Sequence, residues 1–531
     1  MNSRTCTLLA AMVALAPLAV ARRTPAQDVK PGHHHYKLID VGTFGGPGGS
    51  ISQPSSPALN NRGMLVGYSD TTTIDPFSPN CFLDCYVDES WVLQNGVVTP
   101  LSPLRGGASD FADAINARGQ IAGISQNAAI DPSTGWPETR AVLWQDDRII
   151  NMGTLGGTQG IANDVNDEGQ AVGAALNGTF DPFANNPLPQ AFFFPPACCG
   201  YTFTVTFLFT APATTETHAF VWTKAQGMKD LGTLGGPDSA AWIINDSGQI
   251  AGESFTSFTA NPSSGVPTID PFFWDPNEGK MIDLGGLGGT FGATLFMNGS
   301  GQVVGVSTPP GDVTIHPFIW SRLEGMRDLG TLGGTFGHPD SMNDAGEVVG
   351  YATIPGDQFG RAFLWRNGKM INLGTLGTDP QSESLSINSQ GQVAGETFTN
   401  DGVDLRGFLW ENGGPLVDLN TLIVPASSTY VTAAVLINDG GEIGCLGLDP
   451  GDAEEHACLL IPCDENHPGI EGCDYNLVDA ATTAEVHPLQ ITDFRGAASQ
   501  PKLPSTEMMA RTRSLRAARN RRLGNPQTSP R

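Results

Sequence analysis

Residues 325–365 read GMRDLGTLGGTFGHPDSMNDAGEVVGYATIPGDQFGRAFLW. The stretch recurs, with edits, about eight times between Tyr36 and Cys463, a period that marks a solenoid, a propeller or an array. One copy holds four short segments separated by Gly-rich turns. The first ends in Ser341-Met342-Asn343 and the second is Glu347-Val348-Val349-Gly350-Tyr351. The third is Arg361-Ala362-Phe363-Leu364-Trp365, and the fourth is Lys369-Met370-Ile371-Asn372-Leu373-Gly374. Each is rich in β-branched and aromatic residues and bounded by Gly, Asn or Asp, which predicts strands joined by tight turns. No apolar period of 3.6 runs long enough for a helix.

The turn between the first two segments has a mechanism. Its Asn side chain bonds the backbone two residues on, and its Gly takes positive φ where the hairpin closes. The pairs are Asn60/Gly63, Asn116/Gly119, Asn166/Gly169, Asn245/Gly248, Asn298/Gly301, Asn343/Gly346, Asn388/Gly391 and Asn438/Gly441. In the third segment Phe363 and Trp365 point to one sheet face and Ala362 and Leu364 to the other. Both faces are apolar, so both must be covered by neighbouring sheets. Trp144, Trp222, Trp274, Trp320, Trp365 and Trp410 share one slot, filled by Leu93 and Leu460 in the first and last copies. They are read as core between sheets rather than as ligand-stacking groups.

The ends of the repeat decide its closure. Residues 37–46, KLIDVGTFGG, match the fourth segment of a copy, whereas Glu455-His456-Ala457-Cys458-Leu459-Leu460 match the third and no fourth follows. The chain begins with the piece its last copy lacks. A ring would use that offset, whereas an open solenoid would need polar caps instead. The expectation is an all-β fold, a β-propeller of eight four-stranded blades closed by the N-terminal strand completing the last blade.

The motifs Asp230-Leu231-Gly232-Thr233-Leu234-Gly235-Gly236, Ile244-Asn245-Asp246-Ser247-Gly248-Gln249 and His218-Ala219-Phe220-Val221-Trp222 resemble the HAF-repeat family, extracellular bacterial repeat proteins named for the His-Ala-Phe triplet. The resemblance covers residues 36–463. It implies secretion and a repeat fold, and it implies no known reaction. Asp270-Pro271-Phe272-Phe273-Trp274 and Gly407-Phe408-Leu409-Trp410 lack the His, which argues against a catalytic role at that position.

Outside the repeat, residues 1–21 have the form of a signal peptide. Arg4 is the charged region, residues 8–20 are an apolar core too short for a membrane span, and Ala19-Val20-Ala21 is a cleavage site. Residues 22–35 read as a flexible polar arm, with His33, His34 and His35 forming no closed metal site. Residues 464–531 read as an irregular tail whose end is basic, with eight Lys and Arg against one Glu after position 500. That end offers a weak contact to an anionic surface. The whole chain carries 28 Lys and Arg against 54 Asp and Glu, a net charge of −26. This argues against a nucleic-acid partner, which needs clustered cations.

The loops between the second and third segments vary most, and loops on a rigid scaffold carry function. They hold Asp-Pro steps at Asp75, Asp131, Asp181 and Asp270, preceded by Ile74, Ile130, Phe180 and Ile269. Two readings stand: turn initiation, and carboxylates facing a ligand. An insertion over residues 175–217 carries Phe192-Phe193-Phe194 and Cys198-Cys199 and is read as a protruding hairpin or as packing on its own blade. Eight cysteines remain after the signal, an even number that suits an oxidising compartment. Cys445 and Cys458 fall on neighbouring strands and are expected to pair. Cys463 with Cys473, Cys81 with Cys85, and Cys198 with Cys199 are further candidates. No Cys/His spacing predicts a metal, the loop Asp164–Gly169 lacks a calcium-loop Glu, and no cofactor is expected. No triad, HExxH or phosphate loop is present. The composite reading is a secreted binding or scaffold module for a glycan, a peptide or a cell-surface protein. A polysaccharide hydrolase or lyase and a structural envelope protein are the alternatives.

Overall fold

The computed structural model describes residues 32–51, 57–78, 80, 85–183, 201–202, 214–262, 264–399, 405–411, 413–449, 455–479 and 527–528. The sixth copy shows how the sequence becomes a sheet. Strands Gly337–Met342, Val348–Thr353, Gly360–Arg366 and Lys369–Asn372 pair antiparallel in chain order. Five other separate sheets have the same four-strand order. Eight further strands form one sheet in which the first and last quartets meet at a single parallel bridge, Gly48 to Glu455. First strands of successive sheets pack against one another, which places them innermost. The fold is a β-propeller.

The apolar third strands hold neighbouring sheets together. Phe363 and Trp365 pack with Val304 and Ile319 of the preceding sheet. Ala362 and Leu364 pack with Phe408 and Trp410 of the following one. Every tryptophan of the shared slot is buried, as are Leu93 and Leu460. Burying one such aromatic removes ~150–250 Å² from water, roughly 4–6 kcal/mol of transfer free energy at ~25 cal/mol per Å².

A β-bulge recurs in the first strands of the second to seventh sheets. Pairing slips by one residue around Asp113, Asn163, Trp242, Leu295, Asp340 and Leu385, each three residues before the turn Asn. A bulge bends its strand and re-aims the extra side chain. The second strand answers with a Gly. At Gly123, Gly173, Gly252, Gly305, Gly350 and Gly395 a Cβ would lie only 2.0–2.2 Å from a first-strand carbonyl oxygen. The Gly in the second segment is therefore required by close backbone approach.

The turn Asn has two jobs. Asn343 Oδ1 accepts from the backbone of Ala345 and Glu347, which shapes its own turn. Its Nδ2 donates to the carbonyl of Asn388 in the next copy at 3.1 Å. The same inter-copy bond joins Asn60 to Asn116, Asn116 to Asn166, Asn166 to Asn245, Asn245 to Asn298, Asn298 to Asn343 and Asn388 to Asn438. From Asn438 it returns to the carbonyl of Asn60.

The chain ends meet in the last sheet. Strand Tyr36–Gly42 pairs antiparallel with Glu455–Pro462, setting Leu38 opposite Leu460 and Ile39 opposite Leu459. Disulfides join Cys445 to Cys458, which face each other across adjacent strands, and Cys463 to Cys473. Cys85 is also disulfide-bonded. Cys81, Cys198 and Cys199 lie outside the described residues, as do the signal segment and most of both the 175–217 insertion and the basic end.

Three expectations need correction. The last residues of the flexible arm are part of the fold: Gly32–His33 pairs with Val478–Asp479, and buried His33 bonds Glu411 at 2.7 Å. This bond and one from Gln392 hold the Glu411 carboxyl below its usual value against the opposing effect of burial. Part of the tail also belongs to the fold: the second disulfide spans residues 463–473, and Val478–Asp479 is a strand. Gly45–Ile51, which starts within the residues 37–46 matched to a fourth segment, is the first strand of the first sheet and pairs with Leu65–Ile74. No helix of the described residues is long and apolar enough to cross a membrane.

Candidate functional site

The face opposite the Asn turns carries the loops between second and third strands. In the first three sheets the second strand is ten residues long: Leu65–Ile74, Ile121–Ile130 and Ala171–Phe180. Each breaks register past the core and pairs once more, Ile74 with Tyr86, Ile130 with Pro137 and Phe180 with Thr215. This extension lifts its last side chain clear of the sheet stack. Ile74, Ile130 and Phe180 are 57%, 44% and 68% exposed. Phe258 and Val313, in the corresponding loops of the fourth and fifth sheets, are 56% and 51% exposed. Five successive loops thus present a large apolar group to solvent, where contact surfaces concentrate.

The Asp residues beside them behave differently. Asp75, Asp131 and Asp181, each next in the chain after one of the exposed apolar groups, are buried. One oxygen of each accepts from the backbone two residues on, at Phe77, Ser133 and Phe183. The other oxygen of Asp131 accepts from Thr158 of the next sheet at 2.7 Å. That of Asp75 accepts from Ser109 and Gln126, also of the next sheet. Burial raises the Asp131 carboxyl, but hydrogen bonds from Ser133 and Thr158 outweigh it and hold the group below its usual value. Burial raises that of Asp181.

Asp270 is not equivalent to these three. It lies within the third strand Ile269–Trp274, opposite Ser254, and not in a loop. Its Asp-Pro step occupies the slot of His-Ala in other copies. There His218 bonds Asp230 on the fourth strand, His316 bonds Asp328 at 2.8 Å and His456 bonds Asp40 at 3.0 Å. In the fourth sheet the corresponding partner is Asp283. Burial and that like charge raise Asp270 to about 6.

A second cluster lies in the innermost strands. His338 and Asp340 on Gly337–Met342 meet Glu383 on Gln381–Ile387. His338 Nδ1 is 3.4 Å from Asp340 Oδ1, and His338 Nε2 is 3.8 Å from Glu383 Oε1. The Tyr351 ring stacks on the imidazole and the Phe336 edge abuts it. Sequence reasoning passed over these residues. The available signal was local: His338 and Asp340 replace the pairs Ala293/Leu295 and Ala240/Trp242 at the same distance from the turn Asn.

Sheet order, the innermost first strands and the apolar sheet interfaces define the class, a β-propeller with one face of uniform turns and one of variable loops. Solved propellers are similar to it in fold. The propeller of Dos1 matches with a TM-score of 0.39 and 8% identity over 80% of this chain and 95% of that one. The β-propeller domain of the Trilobed protease from Pyrococcus furiosus matches at 0.38 and 9% over 71% and 98%. Trypanosoma rangeli sialidase in complex with sialic acid matches at 0.30 and 10%, over 76% and 59%. No protein-family model matches the chain, and neither does any curated protein.

Proposed function

We propose that this chain is an exported HAF-repeat propeller of eight blades, locked by its N-terminal strand, and that it is a binding scaffold. Its partner is an extracellular protein that docks an apolar peptide segment on the loop face. The carrying observation is the run of Ile74, Ile130, Phe180, Phe258 and Val313 exposed on five successive loops. Ile74, Ile130 and Phe180 each precede a buried, hydrogen-bonded aspartate, and an apolar anchor held in place this way loses little entropy on binding. The disulfides agree with life outside a reducing compartment.

The test is a peptide array and a glycan array probed with the chain and with the Ile130→Asp/Phe180→Asp variant. Peptide binding weakened at least about tenfold in the folded variant supports the reading, since each lost apolar anchor is worth ~1–2 kcal/mol. Binding confined to glycans, or peptide binding equal in both proteins, overturns it. Export is checked by sequencing the mature N-terminus, which begins at Arg22 if the leader is cut after Ala21.

A further inference from the structure

His338, Asp340 and Glu383 form a buried mixed-donor cluster beside apolar residues and one further buried carboxylate, Glu396, which pairs opposite Glu383. One ring nitrogen and one oxygen from each carboxylate all lie within 4.8 Å of one another. His338 and Asp340 are fully buried, and Glu383 is 2% exposed. Phe336, Tyr351, Phe291 and Ala293 belong to the apolar cluster on this side of the molecule. Three features make the group more than a set of neighbouring acids. The bulge at Asp340 slips the pairing between Pro339 and Ser341, next to His338. Glu383 stands at the equivalent position of the next innermost strand, five residues before Asn388 as His338 is before Asn343. Two aromatic rings fix the imidazole plane.

We propose that His338, Asp340 and Glu383 bind one divalent cation of the zinc class, which pins the innermost strands of the sixth and seventh sheets together. Two carboxylates and a neutral imidazole present a formal charge of −2 in a low-dielectric site, and a dication neutralises it. Ligand bonds of ~2.0–2.2 Å in tetrahedral geometry need donor separations of roughly 3.4 Å. One ring nitrogen and one oxygen of each carboxylate lie within 4.8 Å of one another, so closing on an ion takes an inward shift of about 1 Å between donors. An imidazole with two carboxylates suits zinc and its first-row neighbours, whereas calcium takes six to eight oxygens. Three protein donors leave the fourth tetrahedral position to a water, and the burial of all three side chains favours a structural role.

The test uses the full mature chain, stripped with chelator and titrated with Zn²⁺ and with Co²⁺ as a spectroscopic reporter. One tight equivalent per chain, a cobalt d–d band of low-symmetry N/O coordination, and a thermal midpoint raised by a few degrees at about 100 times Kd are expected. The tight equivalent disappears in Glu383→Gln and in Asp340→Asn, while the His33→Ala/His34→Ala/His35→Ala variant keeps it. Less than about a tenth of an equivalent bound by the folded wild-type chain at that excess, or a tight equivalent surviving in Glu383→Gln, overturns the proposal. The wild-type stoichiometry decides the matter even if a variant fails to fold.

Discussion

On the turn face, the same bond fastens each hairpin to the next: an Asn Nδ2 to an Asn carbonyl, from Asn60 round to Asn438 and back. On the loop face, the connections differ from sheet to sheet. Asp75 and Asp131 reach the following sheet through different partners, while Asp312 in the fifth sheet bonds Thr290 and Thr308 instead. The turn face is built from residues that play the same part in every copy. The loop face keeps a buried polar anchor in several copies and lets the residue in front of it change. One face carries stability and the other the proposed binding surface, and substitutions should separate them.

The largest effect is expected where two backbones nearly touch. Gly305→Val places a Cβ about 2 Å from the carbonyl oxygen of Ala293, so a loss of about 4 kcal/mol or more is expected, or failure to fold. The loop-face control Gly311→Ala meets nothing within 4 Å and should cost only ~1 kcal/mol, for its positive φ. Similar losses in denaturant titrations of the two would remove the distinction.

Next comes pH. Burial pushes Asp110 and Asp164 up to about 7 and Glu253 to about 8. Each folded-state value lies above the unfolded one, so the folded chain keeps protons that the unfolded chain has released. Stability from these groups therefore falls as pH rises from about 4 to about 8. A thermal midpoint that drops from pH 5 to pH 8 is expected, with a shallower slope in Asp164→Asn. The Asp40, Asp230 and Asp328 carboxyls are held low against burial by bonds from His456, His218 and His316. Their contribution is present above about pH 4 and lost below it, outside that window.

A smaller change is expected from opening the Asn circuit. Asn388→Ala removes the donor to Asn438 and the acceptor of its own turn, about 1–2 kcal/mol. The smallest belongs to the loop face. Phe180→Asp, at a side chain 68% exposed, should change the denaturation midpoint by no more than about 0.5 kcal/mol while weakening partner binding. A large stability loss there would mean that Phe180 is part of the core.

The repeat unit was legible because its chemistry is local. Alternation in Arg361–Trp365, the Asn-x-x-Gly turn and the orphan strand at Tyr36–Gly42 all follow from residues close in sequence. What stayed hidden depends on register between copies. Asn343 reads as a turn former, but its bond to Asn388 exists only once two sheets are placed side by side. The Asp340 bulge leaves no mark in strand propensity, and Glu383 meets His338 only across two copies. Asp270 was misplaced because Asp-Pro signals a turn locally, whereas strand pairing with Ser254 overrides that signal. Burial of His33 beside Glu411 was invisible because its partner lies 378 residues away.

The inter-copy Asn bond forms whether its partners are 45 or 79 residues apart. The girth of the molecule is thus uncoupled from the contour length of any one module. New chain can be grafted between a second and a third strand without stretching the hoop. Such an architecture can change what it displays by insertion alone, leaving the frame untouched.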